Sequence, residues 1–154
     1  RMEFIGDGQT YEAMRALADS LEAKNIIWGP RWLEPGELRT RIGRATVSLG
    51  IFGTSDKAQR VIPTKAYVAL AMGKPLITAD SPAAREVFTS GKDAILCPAG
   101  SGLAIAQAVL ALRRDETLHK SVAQAGYRLF TEQFTTSAIG AQAKESLEGL
   151  LQGR

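Results

Sequence analysis

Short apolar runs and helical apolar stripes alternate along the first two thirds of the chain. Met2 to Ile5 (MEFI) form an apolar run closed by Gly6-Asp7-Gly8. Residues 9–23 then place Tyr11, Met14, Ala18 and Leu21 on one helical face. A second run, NIIW at 25–28, ends at Gly29-Pro30, and residues 35–45 bring Leu38, Ile42 and Ala45 to helical spacing. TVSLGIF at 46–52 is the richest strand pattern, dense in β-branched and apolar residues. A polar loop over 53–61 leads to a proline-opened apolar helix at 63–72, a Gly-Lys-Pro break, and a strand PLITA at 75–79. Ser81 and Pro82 read as N-cap and first residue of a helix reaching Phe88, and AILC at 94–97 is the last strand. Beyond it only helices are predicted, over 103–113, 116–131 and 136–151, the last with Ile139, Ala143, Leu147 and Leu151 on one face.

Alternating strands and helices of this kind predict an α/β fold with a parallel sheet covered on both faces. Ligands of such sheets bind at the carboxyl ends of the strands. Here those ends are Gly6-Asp7-Gly8, Gly29 to Trp32, Gly53 to Pro63, and Asp80-Ser81.

Composition narrows the function classes. The chain has 154 residues, 45% apolar and 23% charged, ordinary proportions for one globular domain. No run reaches the ~20 apolar residues of a membrane span, and no secretory pattern opens the chain. A single cysteine, Cys97, cannot close an internal disulfide, which permits a reducing compartment and makes the cytoplasm the expected location. The net charge of +3 is unevenly spread, because residues 31–74 alone carry +5. That local field suits a small anionic ligand or a solvated basic face. Nucleic acid is not expected, since no basic stripe is interleaved with aromatics. No metal-ligand cluster is spaced along the chain, and the lone His119, on a late helix, cannot anchor a Ser-His-Asp set.

One cation calls for an explanation. Lys65 stands in the first turn of an otherwise apolar helix, where a positive charge opposes the macrodipole. A phosphate at that terminus would meet free N–H groups and relieve the conflict, with Arg60 adding a second cation. Alternatively, Lys65 reaches solvent or pairs with Asp56. Gly6 and Gly8 offer either close backbone approach to a ligand or a plain tight turn. Trp32 could stack on a base or staple the helix that follows it.

The blocks FIGDG, IIWGPRWLEPGEL, ATVSLGIF, KAYVALAMGKPLITAD and SGKDAILCPAG occur in an order that resembles the C-terminal, donor-binding domain of retaining group 1 (GT4-type) GT-B glycosyltransferases. The resemblance covers about residues 2–134 and is most specific at ALAMGKPLIT. It implies a Rossmann-like domain that binds a nucleotide-sugar, UDP- or GDP-linked, as substrate, with no cofactor and no metal. It implies that Gly29, Arg31 and Trp32 lie where the family packs nucleobase and ribose. Ser55 and Arg60 fall in the loop that holds the sugar and distal phosphate, and Thr64 and Lys65 at the helix end that meets the pyrophosphate. Two glutamates usual in the family fall at Arg60 and Val68, and a glycine that usually offers an amide falls at Pro63. The second glutamate normally accepts hydrogen bonds from ribose, which valine cannot do.

The family domain also begins one strand earlier. The expectation from the resemblance is therefore a sheet of order 3-2-(1)-4-5-6 lacking its first strand, with residues 1–154 a single domain and a fragment of a two-domain enzyme. MEFI and TVSLGIF would either pair directly or be bridged by a segment from elsewhere, which leaves open a dimer or strand exchange. The partners implied are the nucleotide-sugar and a missing acceptor-binding N-terminal domain, with peripheral membrane association of the full enzyme left open. A degenerate, non-catalytic glycosyltransferase-like domain and an α/β signalling receiver are the competing readings. The receiver needs an acidic pair after the first strand, and here Asp7 stands alone.

Overall fold

The computed structural model describes residues 1–152. They form two compact units, Arg1–Arg41 and the described residues from Ile42 onward.

The first unit is a β-α-β motif followed by a helix. Strand β1 (Met2–Phe4) leads through α1 (Tyr11–Ser20) to β2 (Ile26–Trp28), which runs parallel to β1 with Met2 opposite Ile26 and Phe4 opposite Trp28. Side chains alternate across a strand, and the unit uses both faces. On one face Phe4 stacks on Trp28 with centroids 5.2 Å apart, and Tyr11 of α1 meets the Trp28 ring edge-on at 5.5 Å. Glu3 instead ion-pairs with Arg41 of α2 (Pro35–Arg44), which also holds Glu37 one turn back. Helix α1 ends in a Schellman motif: the Glu22 N–H donates to Asp19, and the Ala23 N–H to Ala18.

The second unit carries a three-stranded parallel sheet of order β3-β4-β5, with β3 at Ser48–Leu49, β4 at Leu76–Ala79 and β5 at Ile95–Cys97. Between β3 and β4 lie α3 (Asp56–Gln59) and α4 (Thr64–Ala71), and α5 (Pro82–Val87) precedes β5. Helices α6 (Gly102–Arg114), α7 (Glu116–Gln133) and α8 (Thr136–Gln152) complete the chain. All four residues of β4 are buried, as a central parallel strand demands. Its alternation feeds two cores. Leu76 packs with Ala66, Ala69 and Leu70 of α4 and with Ala84 and Phe88, whereas Ile77 packs with Cys97 and with Ala108 and Leu112 of α6. Ser55, Ser81, Ser101 and Asp115 each accept a hydrogen bond from a first-turn amide of the helix they open.

The order of elements and the parallel α/β architecture agree with the sequence expectation. Strands pair as β1-β2 and β3-β4-β5, the two groupings expected on either side of the family's first strand. Two expectations need correction. TVSLGIF contributes only Ser48 and Leu49 as regular strand. Its ladder bonds run on, from the Gly50 N–H to Ile77 and from the Ala79 N–H to Ile51, but Thr78 inserts its hydroxyl against Ile51 and ends the regular geometry. The stretch 53–61 is not all loop, because Ser55 caps the one-turn helix α3. Within the first unit, β2 is the one strand partner of β1 among the described residues. No described helix is long and apolar enough to cross a membrane.

Candidate donor-binding site

In the first unit, the two glycine loops nominated from sequence are brought together. The Gly6 N–H donates to the Pro30 carbonyl at 3.3 Å, and the Gly29 N–H to the Phe4 carbonyl at 2.7 Å. Arg31 lies 3.7 Å from the Asp7 carboxylate, an exposed pair that links the loops weakly. Gly6 needs its glycine, with φ at +120°, and no heavy atom lies within 4 Å of where a Cβ would stand. Gly29 has no room for one: a Cβ would sit 3.0 Å from the Phe4 carbonyl oxygen. Gly6 and Gly8 border a recess of about 190 Å³, lined further by Phe4, Tyr11, Met14 and Trp28. Trp32 is 69% exposed, so its ring is not folded against the following helix as a staple.

In the second unit, the candidates lie around two helix starts. Ser55 uses its hydroxyl to accept the Ala58 N–H at 3.3 Å, which makes it a cap for α3. Arg60 folds back onto the Asp56 carboxylate one turn earlier. That pairing falls to Arg60 rather than to Lys65, the partner weighed from sequence. Among the described residues no carboxylate pairs with Lys65. The residue is exposed by surface area, yet neighbouring atoms displace enough water from its ammonium to push its pKa below the ordinary lysine value.

Helix α4 begins differently from the capped helices of this unit. Its N-cap is Pro63, which has no side-chain oxygen to offer, and no side chain caps the helix. The Ala66 N–H reaches the Pro63 carbonyl at 2.9 Å, while the Thr64 and Lys65 amides have no intrahelical acceptor. The first turn holds no acidic residue. A cation and two free amides thus share the positive end of a helix. Such an arrangement can hold an anion.

The remaining nominations resolve simply. Cys97 is buried in the core, where desolvation raises its thiol pKa. His119 donates Nε2–H to the Thr46 carbonyl at 2.9 Å, tying α7 to the residues before β3. No cluster of histidine, cysteine or carboxylates that could hold a metal occurs among the described residues. Sequence reasoning missed Gln59 and Gly100, which hold the 52–59 segment in place. The glycine at 100 was the only signal in the sequence, where Pro98-Ala99-Gly100 reads as an ordinary turn.

The sequence profile of a family described as "Glycosyl transferase-like" matches residues 9–145. The chain belongs to that family. The solved structures it resembles include HepE from Anabaena in complex with UDP and glucose, at 17% identity and a TM-score of 0.77, over 96% of this chain and 40% of that one. Sucrose-phosphate synthase from Thermosynechococcus elongatus matches at 15% identity and TM-score 0.75, over 99% of this chain and 39% of that one. The C-terminal domain of the group 1 glycosyl transferase LpcC from Francisella tularensis matches at 19% identity and TM-score 0.66, over 84% of this chain and 66% of that domain. No curated protein matches in sequence. The Rossmann-like GT-B fold and the group 1 relationship inferred from the sequence therefore hold. The chain spans about 40% of the length of the HepE structure.

Proposed function

We propose that this chain is the donor-binding half of a retaining glycosyltransferase and holds a UDP- or GDP-linked sugar. The observation that carries the reading is the start of α4, where Lys65 and two amides without intrahelical acceptors face no acidic partner. Thr64 and Lys65 would hold the diphosphate. Arg60 would add a second cation once it leaves Asp56, and Ser55 lies in the loop that would border the sugar. Gly29, Arg31 and Trp32 would take base and ribose, with the Gly6 and Gly8 backbone approaching the ligand. HepE has been solved with UDP-glucose, which supports a nucleotide-sugar as the ligand class.

Calorimetric titration of UDP, GDP and their sugars tests the reading. Lys65→Ala should weaken nucleotide binding by on the order of 1.5–3 kcal/mol, the scale of a charged hydrogen bond. Equal binding by parent and variant would remove the assignment. Sugar transfer itself needs a closed, water-poor cleft with an acceptor wall. The 154-residue chain alone should therefore bind donor without transferring sugar to any acceptor.

A second reading rests on Arg60 and Val68, which stand where the resemblance places two glutamates. Under it the domain binds nucleotide without catalytic use. The full-length protein separates the two readings, because only the first predicts release of free nucleotide diphosphate from a nucleotide-sugar in the presence of acceptor.

A further inference from the structure

The segment that carries Ser55 is tied down by two contacts, and neither uses a residue assigned to ligand. Gln59, the last residue of α3, is half-buried while Lys57 and Arg60 beside it are exposed. Its side chain turns back along the chain, and Nε2 donates to the Gly53 carbonyl at 3.1 Å. On the other side the Gly100 N–H, in the turn between β5 and α6, donates to the Phe52 carbonyl at 2.8 Å. Gly100 has φ at +69°, and a Cβ there would come within 2.9 Å of the Thr54 methyl. The carbonyls of two successive residues, 52 and 53, are thus both engaged.

These contacts matter because α3 is only four residues long. A single helical turn does not persist on its own, since nucleation fixes several residues for one hydrogen bond. Its shape has to come from the Ser55 cap, the burial of Ala58 and the ties at its two ends. A loop already held in its binding shape loses less conformational freedom when a ligand arrives.

We propose that Gln59 is a positioning residue for the donor loop, holding residues 53–58 in the shape that receives the sugar and phosphate. The role rests on the donor-site reading above. Gln59 touches no ligand in this scheme. It acts through the Gly53 carbonyl, with Gly100 as the opposing tie.

The test compares the parent chain with Gln59→Ala and Gln59→Glu. The glutamate keeps the size of the side chain but has no N–H to donate to a carbonyl. UDP and GDP binding is measured by calorimetry, together with thermal midpoints and amide hydrogen exchange over residues 53–58. Both variants should bind nucleotide about five- to tenfold more weakly, the effect of one neutral hydrogen bond and the loop order it maintains. Exchange over 53–58 should quicken while the thermal midpoint stays close to the parent's. A lowered midpoint with unchanged affinity of the folded protein would make Gln59 merely structural and overturn the proposal. So would parental affinity and exchange in Gln59→Glu. If the parent itself binds neither UDP nor GDP, the donor reading falls and the positioning role with it, whatever the exchange data show. If the parent binds and only the Gln59 variants behave as the parent does, the donor reading stands and this inference alone fails.

Discussion

The backbone of Gly50 packs directly against the side chain of Thr78. A Cβ at position 50 would lie 2.4 Å from Thr78 Oγ1 and 2.6 Å from its Cβ, closer than real atoms approach. Thr78 is buried on the central strand, and its hydroxyl sits 3.3 Å from both the amide and the carbonyl of Ile51. Gly50→Ala must therefore push β3 away from β4 or force Thr78 out of its rotamer. We expect a loss of about 1–3 kcal/mol, the usual range for overpacking a core, read by denaturant unfolding. A midpoint unchanged from the parent's would show that the strands separate freely here.

The same residue shows how far the sequence can be read. Its pattern of alternating runs and stripes revealed the element order and the parallel α/β class, because both follow from periodicity and length. It made TVSLGIF a full strand, since a glycine within an apolar run carries no sign of the side chain pressed against it. The one-turn helix α3 was equally hidden: three polar residues and one alanine have no periodicity, and Ser55 reads as loop chemistry until its Ala58 partner is seen. Lys65 was legible because a cation at a helix start conflicts with the dipole whatever the tertiary structure. That Arg60 rather than Lys65 claims Asp56 was not, since spacing allows more than one partner.

Two helices of this chain end in the same motif with different residues at the critical position. After α4, Gly73 takes φ at +61°, with its N–H on Leu70 and the Lys74 N–H on Ala69. After α1, Glu22 takes φ at +50° with the equivalent pair of bonds to Asp19 and Ala18. A side chain in left-handed conformation costs roughly 1–2 kcal/mol, offset in part by the greater freedom glycine has when unfolded. Glu22→Gly should stabilise the chain by up to about 1 kcal/mol, raising its thermal midpoint, while Gly73→Ala should lower it. A destabilised Glu22→Gly protein would mean that the glutamate side chain contributes an interaction beyond the turn.

Acid should weaken the carboxyl end of β4. Arg85 donates two hydrogen bonds to Asp80, at 2.6 and 2.7 Å, and holds its carboxyl below the usual aspartate range. A carboxylate whose pKa is depressed by folding contributes stability that is fully present above its unfolded value of about 3.9 and is lost as pH falls through the folded value. The pair is largely open to solvent, so its effect is small. Asp80→Asn should lower stability slightly at pH 7 and flatten the acid limb of the stability profile. An acid limb identical to the parent's would assign the pH dependence to other carboxylates.

Lys65 sets ligand binding against stability. Desolvation lowers its pKa in the folded protein, which means that folding disfavours its charged form. Between the folded pKa and the ordinary lysine value the unfolded chain binds more protons, so stability rises with pH through that alkaline window. Below it, at neutral pH, the charged lysine weakens the fold, and it also opposes the dipole of α4. Removing the charge while keeping the apolar stem, as in Lys65→Met, should raise the thermal midpoint at pH 7 in the absence of ligand. The gain should shrink as pH rises into that alkaline window, because the parent sheds its proton there. With UDP or GDP present the order should reverse. The parent should gain stability in proportion to the logarithm of nucleotide concentration, and the variant should gain much less. Thermal melts of both proteins across pH 7–10, with and without nucleotide, check each part. A Lys65→Met protein no more stable than its parent at pH 7 would show that the ammonium already has compensation within the chain. The case for a phosphate at this helix start would then lose its physical basis.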